Sequence, residues 1–365
     1  MLKPSFSGVT GEAFAGLCKT MNILMCSVPF RPSVGGIETV SAILAEQFHR
    51  AGHRVTLVTQ TPGDGPDPEP YALLRRPGAA ALSQAVRDCD VVLHNNISLR
   101  LAWPLLAWRR PWVVAHHTWL PRRGPGAAAG RLKRGLLPLA SHIAVSDAVA
   151  QDLPVPSQVI PNPFDRDRFR CLSGVERSRE LACVGRLVSD KGVPVLLQAL
   201  ALLRDQGKAP RLSIIGSGAD EPALKDQVRR LALQAQVRFA GSLVGQDLVR
   251  ALNAHRVVVV PSVWEEPFGL VALEAQACGC IPLVAASGGL PQAAGPAGVV
   301  FAKGDAAALA HQLVAVLRDA PRHGIGSDPR VQGHLQRHHP ESVAAAYLRV
   351  LDDAQRAVGP LARAV

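Results

Sequence analysis

Apolar residues occur along the chain in short, β-branched bursts, separated by longer stretches in which they return every three or four positions. The bursts in the first half are Asn22–Val28, Arg54–Thr59, Val91–His94, Trp112–Ala115, His142–Val145 and Val159–Ile160. The second half repeats the rhythm with Leu181–Val184, Leu212–Ile215, Val237–Ala240, Arg256–Val260, Ile281–Val284 and Gly298–Phe301. Nearly continuous apolar strands alternating with amphipathic helices predict parallel sheets covered on both faces. After the first burst, Ile37, Val40, Leu44 and Phe48 form one helical stripe, Glu46, Gln47 and Arg50 take the opposite face, and Gly52 ends the helix. Pro161-Asn162-Pro163 interrupts the alternation, and the charged run Asp165–Arg170 that follows reads as an interdomain hinge.

The chain has 365 residues, and at roughly 150 residues per domain this means two cores. We expect an extension over residues 1–20, an N-terminal domain over 21–170 and a second domain over 171–340. A helix over 341–365, with apolar Val343, Tyr347, Val350 and Leu351, is expected to pack back on the first domain. Hydrophobic residues make up 48% and charged ones 19%, which excludes compositional disorder. No apolar run approaches the roughly 18 residues of a spanning helix. The seven cysteines are scattered, without a Cys-x-x-Cys pair, so neither a disulfide framework nor structural zinc is expected and a reducing cytoplasm fits.

Charge changes the picture, because the net +11 is uneven. From Arg75 to Arg134 eleven basic residues face only Asp88 and Asp90, and from Val91 to Ser146 there is no carboxylate. Such a face projects a positive field toward an anionic partner. Trp103, Trp108, Trp112 and Trp119 lie in the same region. Tryptophan beside arginine is an interfacial signature, so Arg122, Arg123, Arg131, Lys133 and Arg134 are expected to face an anionic membrane or acceptor, while Trp112 on its strand fills the core. The aromatics are not interleaved on a nucleic-acid module, and no nucleic-acid partner is expected.

Candidate chemistry gathers after the strands. Gly35 and Gly36 open the first helix, where backbone amides can meet a phosphate or sugar oxygen. Gly216-Ser217-Gly218 holds the same place in the second half, but Glu221 replaces the third glycine of a dinucleotide fingerprint, which weakens a hydride-transfer reading. In Gly185–Gly192, Arg186 can fork across phosphate oxygens and Lys191 adds a point charge. In Trp264–Ala275, Pro267 and Gly269 keep Glu266 in a loop, while Glu274 falls in the first turns of a helix. Two carboxylates thus sit near one strand end, where hydroxyl-rich ligands bind in open α/β sheets.

At these residues the chain resembles the family-four retaining glycosyltransferases of the GT-B architecture, over roughly Met21 to Asp319. The resemblance rests on the Glu, seven residues, Glu pattern of Glu266 and Glu274, which begins in Pro-Ser-x-x-Glu-x-Pro-Phe-Gly at 261–269, and on Gly-Gly-Ile-Glu at 35–38, Ala144-Val145-Ser146, Ile160-Pro161-Asn162, the segment 185–192 and Gly288-Gly289-Leu290-Pro291. It implies two Rossmann-like doubly wound parallel-sheet domains facing a central cleft. It further implies a hexose moved from a UDP- or GDP-type donor to a lipid-linked, polysaccharide or lipopolysaccharide-type acceptor, without a metal or other cofactor. Under it, Arg186 and Lys191 hold the donor diphosphate, Glu274 the ribose and Glu266 the sugar. Gly35, Gly36, Gly216, Phe268, Gly269 and Leu270 complete the donor site. His117 matches the active-site histidine of the first domain, favoured over His116 by its neighbour Thr118. Gln292 departs from the glutamate of many relatives. Asp88-Cys89-Asp90 precedes its strand and Asp165-Arg166-Asp167 lies in the hinge, so neither is placed as an Asp-x-Asp metal site. A nucleotide-sugar epimerase and a polyanion-binding protein stand as alternatives.

Overall fold

The computed structural model describes residues 20–358 other than 34, 64–66, 123 and 125. The expected extension, apart from Thr20, and Arg123 of the basic face therefore lie outside the described residues. The chain forms two compact units, one running to Pro163 and resuming at His339, the other Phe164–His338.

The first unit is built on seven strands: β1 (Asn22–Ser27), β2 (Arg54–Thr59), β3 (Ala72–Arg75), β4 (Val91–Asn95), β5 (Trp112–His116), β6 (Ser141–Ala144) and β7 (Gln158–Val159). They form one parallel sheet in the order β3-β2-β1-β4-β5-β6-β7. The second unit carries β8 (Arg179–Val184), β9 (Leu212–Ile215), β10 (Val237–Gly241), β11 (His255–Val260), β12 (Ile281–Ala285) and β13 (Val299–Phe301). These are again all parallel, in the order β10-β9-β8-β11-β12-β13. In each sheet the winding reverses beside the first strand, between β1 and β4 and between β8 and β11. Loops on either side of such a point diverge to opposite faces and leave a crevice at the carboxyl ends of the strands.

The interior strands are apolar because they are covered on both faces: every residue of β4, β5 and β9 is buried. Strand β3 escaped the pattern. It is an edge strand of four residues, Ala-Leu-Leu-Arg, none of them fully buried, and it carries no β-branched side chain.

The first helix, Gly36–Arg50, buries Val40, Leu44 and Phe48 as expected, but Gln47, assigned to the outer face, is buried as well. The reason is tertiary: the closing helix Pro340–Val358 packs against it and over β4 and β5, covering a second flank. The boundary also differs from position 170. Phe164 and Phe169 are buried, and the Phe164 amide donates to the His338 carbonyl, so residues 164–170 belong to the second unit rather than to a hinge.

Tyr347, at the centre of the closing helix, is fully buried, and its hydroxyl has no hydrogen-bond partner among the described residues. An unmet buried hydroxyl costs on the order of 1 kcal/mol or more, so Tyr347→Phe should leave stability unchanged or raise it. Tyr347→Ala should lower it by roughly 3–5 kcal/mol through loss of packing. Urea denaturation of the two variants checks this, and a Phe variant clearly weaker than the parent would contradict it.

Candidate functional site

At the carboxyl edge of the second sheet, four loops meet with backbone against backbone. The loop after β9 reaches the loop after β8 through Gly216, whose φ is +144° and where an added Cβ would lie 1.8 Å from the Gly185 carbonyl oxygen. Gly192, at φ +67°, likewise brings the short 3-10 turn Ser189–Lys191 onto the exit of β11, since a Cβ there would meet the Pro261 oxygen at 1.9 Å. No L side chain fits either position without moving main chain.

This contact is held by the Asp190 carbonyl, which accepts from Ser262 Oγ at 3.0 Å, Val263 N at 3.0 Å and Trp264 N at 3.1 Å. Next to it Lys191 Nζ lies 2.5 Å from Glu266 Oε1, which also accepts from Ser262 Oγ at 2.9 Å. The loop after β12 closes the other side. Ser287 Oγ donates to the Trp264 carbonyl, Gly288 N to Glu265 Oε2 at 2.8 Å, and Gly289 N to the Glu266 carbonyl at 2.7 Å. The tandem glutamates thus divide their work: Glu266 holds Lys191, whereas Glu265, ion-paired with Lys303, ties two loops together. Ser262 and Glu265 are the fixed Ser and Glu of the Pro-Ser-x-x-Glu-x-Pro-Phe-Gly motif, but neither is among the residues expected at the site.

Arg186, on the same β8 loop, is exposed; its carbonyl accepts from the Val188 amide at 3.1 Å, while its side chain makes no hydrogen bond or ion pair among the described residues. Gly269 is the left-handed N-cap of the helix Leu270–Ala277, and Glu274 lies in its second turn. Burial raises the Glu274 carboxyl to about 8, against the opposing pull of the Arg168 guanidinium and with a smaller push from Asp165. Its neutral form can both donate to and accept from a diol. Phe268 differs from expectation: its ring is buried 5.6 Å from that of His338, so the side chain belongs to the core of the unit. Leu270, at the start of the helix, is half-buried.

In the first unit, His116 and His117 follow one another at the end of β5 and are both buried, yet they differ in what they can do. His116 Nε2 lies 3.0 Å from His142 Nδ1, and His142 Nε2 lies 2.9 Å from the Leu137 carbonyl. Because a carbonyl only accepts, the protons run from His116 to His142 to Leu137, and His116 is consumed by the fold. His117 places Nδ1 3.1 Å from Asn162 Oδ1 and its amide 2.8 Å from Asn96 Oδ1, while its Nε2 is buried with no hydrogen-bond partner among the described residues. Asn96 and Asn162 are thus part of this site. At the end of β1, Gly35 caps the first helix in ordinary extended conformation (φ −176°) and Gly36 is exposed as its first residue, so neither is required by backbone strain.

The basic face is only partly as expected. Arg122 is ion-paired with Asp152 at 2.6 Å, and Arg134 donates to the carbonyls of Leu120 and Pro121. Lys133 is partly covered, and burial lowers its pKa. Arg131 is exposed without such a partner among the described residues. Beside it, however, Leu132 and Leu139 are 58% and 63% exposed, and Leu106 and Trp103 also face outward. Trp112 is buried and donates to His94 Nδ1 at 2.8 Å, as its place on β5 required. Among the described residues no three His, Cys, Asp or Glu gather in a way that could hold a metal ion. Among the same residues no helix is long and apolar enough to cross a membrane.

Two family models match successive parts of the chain, Glycosyltransferase Family 4 over residues 34–168 and Glycosyl transferases group 1 over residues 166–326. The chain is similar to glycogen synthase of Mycobacterium tuberculosis, with 29% identity across 82% of this chain and 86% of that protein. It is also similar to a D-inositol 3-phosphate glycosyltransferase of Corynebacterium jeikeium, 32% identical across 54% of this chain and 56% of that protein. Among solved structures, Anabaena HepE in complex with UDP and glucose superimposes with a TM-score of 0.74 at 21% identity, covering 91% of this chain and 99% of that one. WaaG, a glycosyltransferase involved in lipopolysaccharide biosynthesis, gives 0.68 at 17% identity, with coverage of 90% and 99%. Both structural likenesses are likenesses of fold.

Burial of neutral histidines makes stability depend on pH. Desolvation lowers His94 and His116 to about 3, and His117 and His255 to about 4. The unfolded chain takes up these protons first, so each contribution is complete above about pH 6.5. Each is lost as pH falls toward the folded value, at about 1.4 kcal/mol per pH unit. Glu274, with its raised pKa, acts in the opposite sense, one group against four. The melting temperature should therefore fall steeply between pH 6.5 and 5, above the usual carboxylate range, and a flat profile there would contradict the assignment.

Proposed function

The chain belongs to the retaining, nucleotide-sugar-dependent glycosyltransferases of family 4 and group 1, and from that premise we propose that it moves a hexose from a UDP-type donor to a lipid-linked or polysaccharide-type acceptor. The observation that carries the donor half is the 2.5 Å pair of Lys191 and Glu266 at the switch point of the second sheet, with Arg186 unpaired on the same loop. A donor diphosphate needs cations, and these two come from the loop where the sheet winding opens a crevice. When the bond from the sugar C1 to the diphosphate oxygen breaks, its electron pair stays on that oxygen, while the acceptor hydroxyl bonds to C1 and its proton passes to an oxygen of the departing diphosphate. Charge on the leaving oxygen rises in this step, and preorganised cations stabilise it by roughly 3 kcal/mol each. Glu266 orients Lys191 before the donor arrives and turns its oxygens to sugar hydroxyls afterward, and Glu274 takes the ribose.

A UDP-type donor is supported by the fold shared with Anabaena HepE, which has been crystallised with UDP and glucose. A glycan or lipid acceptor is supported by the likeness to WaaG. The exposed Leu132 and Leu139 beside Arg131 favour docking on an anionic membrane, the apolar groups entering the interface and the cation meeting headgroups.

Arg186→Ala and Lys191→Ala should each lower kcat/KM by roughly 100-fold or more while leaving the melting temperature near that of the parent. Near-normal turnover in both would remove the diphosphate from this loop. Glu274→Ala should instead weaken UDP binding in isothermal titration, while Glu266→Ala spares UDP and impairs transfer. For the membrane, replacing Arg131, Leu132 and Leu139 together by Ser should reduce sedimentation with anionic liposomes by about tenfold, the cation alone contributing about 1 kcal/mol. UDP affinity serves as the folding control, and equal sedimentation at low salt would point to a soluble phosphorylated acceptor.

A further inference from the structure

We infer that Asn162 is a positioning residue, fixing His117 as the Nδ1–H tautomer so that a bare Nε2 lone pair receives a hydroxyl group of the sugar substrate. The inference rests on the proposed function for the substrate, but its geometry is independent of it. A carboxamide oxygen only accepts, so the 3.1 Å bond from His117 Nδ1 to Asn162 Oδ1 requires the proton on Nδ1. A neutral imidazole carries one N–H, and Nε2 is then an acceptor. That atom is buried with no hydrogen-bond partner among the described residues, an arrangement that costs free energy until a donor arrives.

The surroundings hold the ring in place. Asn162 is buried and stands between Pro161 and Pro163, which restrict its backbone on both sides. The His117 amide is anchored by Asn96 Oδ1, and Asn96 itself adopts a left-handed conformation at φ +62°. The Pro-Asn-Pro segment, which reads in the sequence only as a break between domains, thereby gains a chemical purpose. His116 on the same strand shows the contrast, since its ring is bonded to His142 and its protons are spoken for.

The ring also stays neutral at working pH. Burial brings His117 down to about 4, opposed only by the bond to Asn162, and the titratable neighbour that interacts with it is His116, itself depressed to about 3. A cationic imidazole would present N–H at both nitrogens and could not accept.

Two experiments test this. Long-range proton–nitrogen correlation spectra of the histidine-labelled protein at pH 7, with the His117 signals identified by their loss in His117→Gln, should show a protonated Nδ1 and a bare Nε2. A protonated Nε2 or an imidazolium would overturn the inference, the former meaning that the amide group of Asn162 donates instead. Second, Asn162→Asp places a carboxylate against Nδ1–H and favours the imidazolium. With UDP-glucose as donor probe, its kcat/KM should then rise about tenfold per pH unit below a new His117 pKa, whereas the parent shows no such rise between pH 6 and 7, below the titration of Glu274. Identical profiles would overturn the positioning role. Full transfer activity in His117→Gln together with the expected tautomer would instead remove the substrate contact on which the inference rests, so the two failures are distinguishable.

Discussion

The Asp190 carbonyl accepts from the Ser262 hydroxyl and from the amides of Val263 and Trp264, and the geometry at the carboxyl edge of the second sheet follows from that one acceptor. It draws the loop after β11 against the turn after β8. Gly192 permits the approach, because any side chain there would strike the Pro261 carbonyl. Lys191 and Glu266, 75 positions apart in sequence, thereby come within 2.5 Å. Ser262 joins both parts of the arrangement, donating to the Asp190 carbonyl and lying 2.9 Å from Glu266. Functional charges carried on loops gain precision when the loops are fastened main chain to main chain, since flexible side chains then have little left to decide.

The two units solve different chemical problems with different residues. In the second, Arg186, Lys191 and Glu266 are ionic groups on partly exposed loops, which is what the proposed binding of a diphosphate would require. In the first, the groups at the ends of β4, β5 and β7 are neutral amides and imidazoles, and burial keeps the imidazoles uncharged. A neutral, buried, polar cluster of this kind would discriminate among hydroxyl groups in the proposed reaction, because an unmatched donor or acceptor there is costly. The acid sensitivity of the fold has the same physical origin.

On the basic face, the structure shifts weight from charge to apolar exposure. Two of the arginines that seemed free are engaged, one by Asp152 and one by carbonyl oxygens of the neighbouring loop. What remains is Arg131 and the partly covered Lys133, neither with a side-chain hydrogen bond or ion pair among the described residues, together with two exposed leucines, Arg123 lying outside the described residues. In the proposed membrane docking, such a surface would depend less on salt than a purely electrostatic one.

Hydrophobic periodicity by itself determined that the chain makes parallel α/β sheets in two units, because a strand covered on both faces must be apolar along its length and a helix on one side must not. The spacing of Glu266 and Glu274 and the cations of the β8 loop were also legible, since each lies within a contiguous motif. Tertiary structure decided the rest. Gln47 is buried by a helix almost 300 residues away, Phe268 turns to His338 in the core, and the short edge strand β3 shows itself only by pairing with β2. The choice between His116 and His117 is of the same kind. Both are buried imidazoles at the end of one strand, and only the partners brought from β6 and from Asn162, 26 and 45 positions along the chain, decide which ring keeps a free nitrogen. Local patterns encode what a residue can do, whereas a proton's position depends on which distant acceptor the fold sets beside it.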